Sequence, residues 1–357
     1  MKSIGHAWVA LMALERLKAP KKDGYIGRNF RSFFLGSSFN PYYKEQAERF
    51  VQFFDKHKDA FVQGAWFPDS VIADNLTGGH TFKLSRPSNE EEEKEAKVIE
   101  NTTPGHLSCR RQFVDISRLK EKVCAKDKYT LPDRCEALSH AIRDMILIQR
   151  HEPKGSDIMF NDDQITLYFL MLSHYLADAH VPVHCDTRDF YTPPKIHPDM
   201  EGCWDDEIKR NYLFDTKRKV FDYGLDGAPE LYHDKEEGFK SSFLYEVLDV
   251  LSKRGWNPAG SRSKFLGKGN KKVYDYVKAV CFDSYLVSTW FIPELSKAEY
   301  KKIRILKDEE YKEKLRRMSV HVLADAIDSI AMVWLLTWDS YNKLKEEADK
   351  RRKEIKG

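Results

Sequence analysis

A histidine–aspartate–histidine motif at residues 174–184 constrains this chain more than any other feature of its sequence. His174 and Asp178 are four residues apart, about one helical turn, so they project from the same face of a helix. Pro182 cannot continue a helix interior, so the helix should end there and allow His184 to turn back. The sequence therefore places an imidazole, a carboxylate and a second imidazole close together, in a combination that suits zinc.

The rest of the composition is that of an ordinary globular protein. The chain has 357 residues, 41% of them hydrophobic, which suffices for one large domain or two small ones. Its formal net charge of +3 neither demands nor excludes nucleic acid or an anionic membrane as a partner. The longest apolar stretches, around 165–172 and 327–338, are too short to cross a bilayer, so we expect no transmembrane segment.

The cellular compartment stays open at the level of sequence. No basic and apolar leader opens the chain, so we expect a cytoplasmic protein or a mature chain from which a leader was removed. The six cysteines form no CxxC pair, which argues against a thiolate zinc site. A disulfide between Cys185 and Cys203 and a set of single thiols are both allowed.

Helical periodicity dominates the sequence and predicts an all-α fold. Continuous period-two alternation is rare, so no strand is predicted. Gly, Pro and Ser cluster in three segments that we interpret as loops, at 19–41, 66–105 and 186–203. The predicted helices cover 4–18, 43–61, 133–150, 163–180, 238–252, 272–291 and 316–345.

We expect one helical domain over residues 1–347. A polar insertion at about 84–130 interrupts it, and a charged tail follows at 348–357. The insertion contains an acidic run, and the tail is dense in Lys, Arg and Glu; both patterns are typical of solvated segments.

Four further segments carry candidate metal ligands. His6 lies near the N-terminus, Asp69 follows a proline, His80 follows a Gly-Gly pair, and His197 and Glu201 are one turn apart. Taken singly, each has an ordinary explanation, such as a polar helix face, a cap or a solvated loop. Together with the 174–184 motif they supply five histidines and three carboxylates, a set of nitrogen and oxygen ligands that requires several zinc ions.

The order of these residues resembles the zinc-dependent phospholipase C family, which includes the catalytic domain of clostridial alpha-toxin. It also resembles the related single-strand-specific zinc nucleases of fungi and plants. The family pattern is an N-terminal residue soon followed by His, then Asp, His, HxxxD-x5-H and HxxxE or HxxxD. His174, Asp178 and His184 meet the first of these motifs, and His197 and Glu201 meet the second. The resemblance implies an all-helical fold with three zincs in a cleft, and favours a secreted or periplasmic chain over a cytoplasmic one.

The same resemblance implies how up to three Zn²⁺ ions would be bound. Family members usually begin the mature chain with Trp, whereas this chain begins with Met1, whose backbone amine and carbonyl are the groups required. Trp204-Asp205 resembles the end of the last nuclease ligand motif, but that motif would need His at 201, so Asp205 is kept as a supporting or substitute ligand. The implied sets are Asp69, His80, His174 and Asp178; then His184, His197 and Glu201; then Met1, His6 and the shared Asp178.

Such a centre would hydrolyse phosphodiesters. Two zincs that share Asp178 would hold a bridging water and lower its pKa, providing a hydroxide for in-line attack on phosphorus. Asp178 and Asp69 are the expected catalytic residues, with Asp69 as a base or as the group that orients the water. Trp66 and Phe67 either line the cleft or belong to the core.

Three functions follow from this reasoning. The HxxxE spacing and the short separation between Asp69 and His80 favour a phospholipase C-like enzyme that acts on phospholipid. One alternative is a single-strand-specific nuclease with 3'-nucleotidase activity, and the other is a non-catalytic helical binding protein that keeps zinc for stability. No obligate protein partner is expected. His180 lies on another helix face, and the His233-Asp234 dipeptide is a weak signal for a phosphohydrolase of another type.

Overall fold

The protein is mostly helical, which confirms the all-α prediction. A computed structural model describes residues 1–18, 41–74, 78–98, 107–126, 129–151, 160–224, 227–232, 236–254 and 272–356. The helices in these ranges are α1 Ser3–Leu17, α2 Pro41–Asp55, α3 Lys58–Phe61, α4 Glu90–Glu95, α5 Cys109–Phe113, α6 Leu131–His151, α7 Asp162–His180, α8 Ile196–Asn211, α9 Glu236–Lys240, α10 Phe243–Ser252, α11 Lys272–Phe291, α12 Lys297–Tyr300 and α13 Glu309–Lys356. Short 3₁₀ turns at Val62–Trp66, Ile116–Lys120 and Pro182–Cys185 and a π turn at Pro68–Ile72 connect them.

The first helix is buried on all of its faces. Every residue of α1 from Ile4 to Leu17 is buried. Helix α1 packs against α8, α13 and the Val62–Trp66 turn, so no face is left for solvent. A helix that is enclosed in this way carries its N-terminal residue into the interior, and Met1 is only 3% exposed.

Helix α7 begins and ends where the sequence predicts. The Asn161 side chain accepts a hydrogen bond from the Gln164 N–H, and the Gln164 side chain accepts one from the Asn161 N–H, which forms a capping box. The helix ends at His180, and Pro182 opens the 3₁₀ turn that follows. Since α7 packs between α6, α13 and the Val62–Trp66 turn, all of its residues from Leu172 to His180 are buried.

The predicted loop at 186–203 is wrong in its second half, because α8 begins at Ile196. Ile196, Met200, Trp204 and Ile208 recur at four-residue spacing and are fully buried. This apolar stripe outweighs the Pro and Gly residues on which the loop prediction relied. The loop prediction at 19–41 falls almost wholly outside the described residues.

The polar insertion forms a small sheet, although no strand was predicted. Strands β1 (Leu84–Ser85), β2 (Lys97–Val98) and β3 (Lys122–Ala125) pair antiparallel in the order β1-β3-β2, with Leu84 opposite Ala125 and Lys97 opposite Val123. Strands β4 (Phe214–Asp215) and β5 (Val220–Phe221) form a separate hairpin. These strands have two to four residues, too short for period-two alternation to be recognised in the sequence. Leu107, Phe113 and Val123 of the insertion are buried in the core.

The last helix is longer than predicted and runs through the core. Its Glu309–Ser340 part is long and apolar enough to cross a membrane by length and composition, although the sequence stretches were judged too short. Inside the protein 94% of the apolar window is buried, as in the core helix of a globular domain. The segment predicted as a charged tail continues the same helix to Lys356, with Lys350 and Glu354 exposed.

All six cysteines are free thiols, including Cys185 and Cys203. Cys185 instead lies beside the Cys281 thiol of α11, whose pKa is raised by burial and by a hydrogen bond with Cys185. The disulfide that the sequence allowed is therefore absent from the structure.

Candidate metal centre

Nine groups that are widely separated in sequence meet at one place in the fold. They come from the N-terminal residue, α1, the π turn at Pro68–Ile72, the loop before β1, the C-terminal half of α7, the 3₁₀ turn behind it and the first two turns of α8. The groups are the Met1 amine and the side chains of His6, Asp69, His80, His174, Asp178, His184, His197 and Glu201.

Asp178 is the hub of this cluster, and its two carboxylate oxygens face different neighbours. Oδ1 lies 3.1 Å from the Met1 amine nitrogen and 3.5 Å from His6 Nε2. Oδ2 lies 3.2 Å from His174 Nε2 and 3.5 Å from His80 Nδ1. Because Asp178 is only 1% exposed, its carboxylate is shared between two groups of donors in a site shielded from bulk water.

A second group lies at the start of α8. The His197 Nε2 and Glu201 Oε1 atoms are 2.7 Å apart, as expected for residues one turn apart on a helix. His184 Nε2 lies 3.0 Å from His197 Nε2 and 3.3 Å from Glu201 Oε1. The Met1 amine lies 2.7 Å from Glu201 Oε1, so it links this group to the one around Asp178.

Asp69 stands at the open side of the cluster. Its Oδ1 atom lies 3.5 Å from His80 Nε2 and 3.7 Å from His174 Nε2, while 40% of the side chain remains exposed. The seven other side chains of the cluster are buried, so Asp69 is the acidic group best placed to meet a substrate that enters from solvent.

Backbone carbonyls orient two of the imidazoles, a feature that no sequence motif indicates. His174 Nδ1 donates to the Ala65 carbonyl at 2.9 Å, which leaves Nε2 directed at Asp178. His184 Nδ1 is 3.2 Å from the His80 carbonyl, which leaves Nε2 directed at His197 and Glu201. Metal-binding histidines are commonly held in one tautomer by this type of hydrogen bond.

The turn that carries His80 is fixed by a buried carboxylate. Gly78 has a φ of +77°, a conformation that favours glycine. A Cβ atom at Gly79 would lie 2.6 Å from Asp74 Oδ2. That oxygen accepts hydrogen bonds from the Tyr175 hydroxyl at 2.5 Å and from Arg134 Nε at 3.0 Å. The Gly-Gly pair is therefore required for the chain to pass close to Asp74 and present His80.

Burial and charge together set the protonation of the centre. Burial lowers the pKa of His6 well below its usual value and lowers that of His184 to about 4, although nearby carboxylates act in the opposite direction. Burial opposes the charge on the Met1 amine, but Asp178 and Glu201 outweigh it and raise the pKa of the amine to about 11. Burial raises the pKa of Asp69 and the charge of Asp178 adds to this effect, although His174 and the Met1 amine act in the opposite direction.

The chemistry of the donors fits metal ions. Among the described residues, both ring nitrogens of His6 and the Nε2 atom of His80 are buried and have no hydrogen-bond partner. Leaving such atoms unsatisfied costs about 1–3 kcal/mol each, and a bound cation would satisfy them. In the described part of the chain, three groups have donor atoms close enough together to hold a metal: His80–His174–Asp178, His184–His197–Glu201 and His6–Asp69–His174.

Two of these groups fall within sets implied by the sequence, whereas the grouping of His6 with Asp69 and His174 was not among them. His184, His197 and Glu201 are grouped as expected, and so are His80, His174 and Asp178. The Met1 amine and His6 both approach Asp178, as implied for the third set. His6 also stacks on His174 with ring centroids 3.9 Å apart, a contact that spacing in the sequence could not predict.

Asp205, which the sequence left as a supporting or substitute ligand, is not among the side chains grouped in the cluster. Its Oδ1 atom accepts a hydrogen bond from the Gly5 N–H at 2.9 Å. His180 likewise lies apart, 2.8 Å from the Ser329 hydroxyl through Nε2. Trp66 is buried as part of the hydrophobic core, and Phe67 is half-buried. The dipeptide at 233–234 lies outside the described residues.

Sequence reasoning missed an aromatic residue at the edge of the centre. The Tyr191 ring centroid lies 4.3 Å from that of His197, yet 64% of Tyr191 is exposed. Burial, together with the charges of Glu201 and Asp178, raises the pKa of its hydroxyl.

Compared with models of protein families, with curated proteins and with solved structures, the chain matches none.

Proposed function

We propose that this protein is a zinc-dependent phosphodiester hydrolase, with three zinc ions held by the nine groups of the centre. The observation that carries the proposal is the sharing of Asp178, whose two oxygens face different sets of nitrogen donors 3.1–3.5 Å away. A carboxylate shared in this way is suited to hold two metal ions side by side, the arrangement used in phosphodiester cleavage. When bound, zinc would supply Lewis-acid stabilisation of phosphate charge and an acidified water.

Residues of the chain would carry out the remaining tasks. Asp69 lies at the open side, and burial raises its pKa, which suits a group that orients water or accepts its proton. The imidazoles oriented by the Ala65 and His80 carbonyls would keep the centre rigid as a substrate enters. The buried carboxylates of Asp178 and Glu201 would offset the positive charge of the metals.

Phospholipid is the substrate class that we favour. Glu201 contacts both His184 and His197, which is the arrangement that the HxxxE motif of the phospholipase branch implies. Val71 and Ile72 follow Asp69 by two and three residues and are 67% and 42% exposed. Apolar side chains exposed next to a polar site are suited to contact acyl chains.

Tyr191 favours the nuclease as the second candidate. An exposed aromatic ring beside His197 could stack on an unpaired base, and such stacking is worth about 1–3 kcal/mol per base. The two candidates share the same metal centre and differ in what binds at its edge.

A paired assay tests the proposal. Protein purified without chelator is given phosphatidylcholine vesicles in one arm and single-stranded DNA or RNA in the other, each with and without EDTA. The Asp178→Asn variant removes the shared carboxylate, and Asp206→Asn on the exposed side of α8 is the matched control.

We expect EDTA-sensitive release of the phosphorylated head group, lost in Asp178→Asn and kept in Asp206→Asn. EDTA-sensitive cleavage of nucleic acid alone would establish the second candidate instead. Hydrolysis in neither arm from zinc-loaded protein would leave a zinc-stabilised binding protein and reject both enzymatic functions.

A further inference from the structure

Helix α8 presents three acidic or imidazole side chains along one stripe. His197, Glu201 and Asp205 are spaced by four residues, so they lie above one another on one face. The first two belong to the metal centre, whereas Asp205 contacts the start of α1. Asp205 is 6% exposed, so a carboxylate has been buried at a position where it binds no other side chain of the centre.

The partner of Asp205 is the N-terminal turn of α1. The N-cap residue of α1 is Lys2, whose side chain provides no capping hydrogen bond, so the first N–H groups of the helix need another acceptor. Asp205 Oδ1 accepts from the Gly5 N–H at 2.9 Å, and a Cβ atom at Gly5 would lie only 3.1 Å from the same oxygen. The carboxylate also interacts favourably with the helix dipole.

Two carboxylates that are one turn apart on α8 therefore contact two backbone nitrogens that are four residues apart on the N-terminal segment. Glu201 lies 2.7 Å from the Met1 amine, and Asp205 holds Gly5, four residues farther along. This pair of contacts constrains the first turn of α1, both in its depth and in its rotation relative to α8. The depth determines where the Met1 amine lies, and the rotation determines where His6 points, since His6 directly follows Gly5.

We propose that Asp205 is a positioning residue for the third zinc, the one bound by the Met1 amine, His6 and Asp178. It acts through the first turn of α1 and does not touch the metal. The inference rests on the zinc centre of the proposed function and applies to a chain that begins at Met1. The binding of one of the three zinc ions would therefore depend on a side chain that coordinates none of them.

Zinc stoichiometry and affinity test the inference. Wild-type protein, Asp205→Ala and Asp205→Asn are titrated with zinc alone against a competing chelator, and bound zinc is counted by mass spectrometry after buffer exchange. We expect the affinity for one zinc of three to fall by about 10- to 100-fold in Asp205→Ala, as for other residues that orient ligands. Asparagine retains an oxygen that can accept from the Gly5 N–H, so Asp205→Asn should restore most of that affinity.

Two further variants separate positioning from general stability. Asn161→Ala removes the N-cap of α7, a comparable loss at a helix start about 20 Å from His174 along the helix, and should leave all three zincs bound. A single glycine added before Met1 displaces the α-amine and should lose the same zinc as Asp205→Ala.

The outcomes distinguish this inference from the proposed function. Three zincs bound with unchanged affinity in Asp205→Ala would overturn the inference, and so would an equal loss in Asn161→Ala. A wild-type chain that binds only two zincs would overturn it as well. Selective loss of one zinc in Asp205→Ala, with rescue by Asn, would support it even if the wild-type protein hydrolysed neither phospholipid nor nucleic acid, a result that rejects the proposed function alone.

Discussion

Replacement of Asp178 by Asn should have two separable effects on stability, one without metal and one with it. In the metal-free protein the variant leaves the buried Met1 ammonium paired with Glu201 alone. Breaking a buried ion pair by removing one partner costs about 3–5 kcal/mol. Since Glu201 remains 2.7 Å from the amine, we expect the lower end of this range, about 3 kcal/mol.

This cost converts into a measurable change in melting temperature. The entropy of unfolding is roughly 2.1 cal/mol/K per residue, or about 0.75 kcal/mol/K for 357 residues, so 3 kcal/mol corresponds to about 4 °C. In saturating zinc the difference should grow. Each metal site lost removes about 4 kcal/mol when free zinc is 1,000 times its Kd, and Asp178 belongs to two of the three proposed sites.

Differential scanning calorimetry of both proteins, in EDTA and in zinc, measures the two effects. Asp206→Asn is the control, because its side chain is 65% exposed and its replacement should change stability by less than about 0.5 kcal/mol. If the difference in Tm between wild type and Asp178→Asn were the same in EDTA and in zinc, Asp178 would be a structural carboxylate and would not be a metal ligand.

Three further predictions concern metal removal, packing and acid stability. EDTA should lower the Tm of the wild-type protein by several degrees and zinc should restore it, whereas a Tm indifferent to EDTA would argue against bound metal. Gly64→Ala places a Cβ atom 2.6 Å from Leu167 Cδ1, 3.1 Å from Leu170 Cβ and 3.3 Å from the Leu167 carbonyl oxygen, all on α7. It should cost about 1–3 kcal/mol in urea unfolding and weaken zinc binding, since the Ala65 carbonyl orients His174. Gly202→Ala, near only the end of a lysine, is its control, and equal effects of the two would refute the argument. Burial would raise the pKa of Asp325, but Arg254 lowers it below its ordinary value of 3.8. The ionised Asp325 therefore stabilises the fold above about pH 4, and this stabilisation is lost as the pH falls through the lower pKa of the folded state. Asp325→Asn should weaken the decrease of the unfolding free energy at acid pH, and an unchanged decrease would contradict this.

The sequence was sufficient to predict features that depend on local spacing. The 174–184 motif combines a helical turn with a proline stop, and both are properties of a few adjacent residues. The same holds for His197 and Glu201, although the helix that carries them was predicted to be a loop. The wrong loop prediction did not affect the ligand prediction, because the four-residue spacing was recognised as a ligand motif independently of any helix.

Features that depend on distant contacts could not be predicted. The close approach of Gly79 to Asp74 joins two loops through a carboxylate that no motif identifies. The Asp205 contact with Gly5 spans 200 residues, and the sequence, which left Asp205 as a supporting or substitute ligand, did not identify Gly5 as its partner. Short strands in the insertion were missed because two residues of alternation cannot be told from chance.

The enclosed position of α1 has a consequence for how the chain folds. Arg16 is fully buried, and its Nε atom donates to Asp328 Oδ1 at 2.8 Å, a pairing that spans 312 residues. An unpaired guanidinium is costly to bury, so α1 should not settle into the interior before residue 328 has been synthesised. Contacts between residues so far apart in sequence are slow to form. The N-terminal turn of α1, although synthesised long before residue 328, would thus be among the last described parts to reach its place, and completion of the metal centre would require that α1 and α13 have come together.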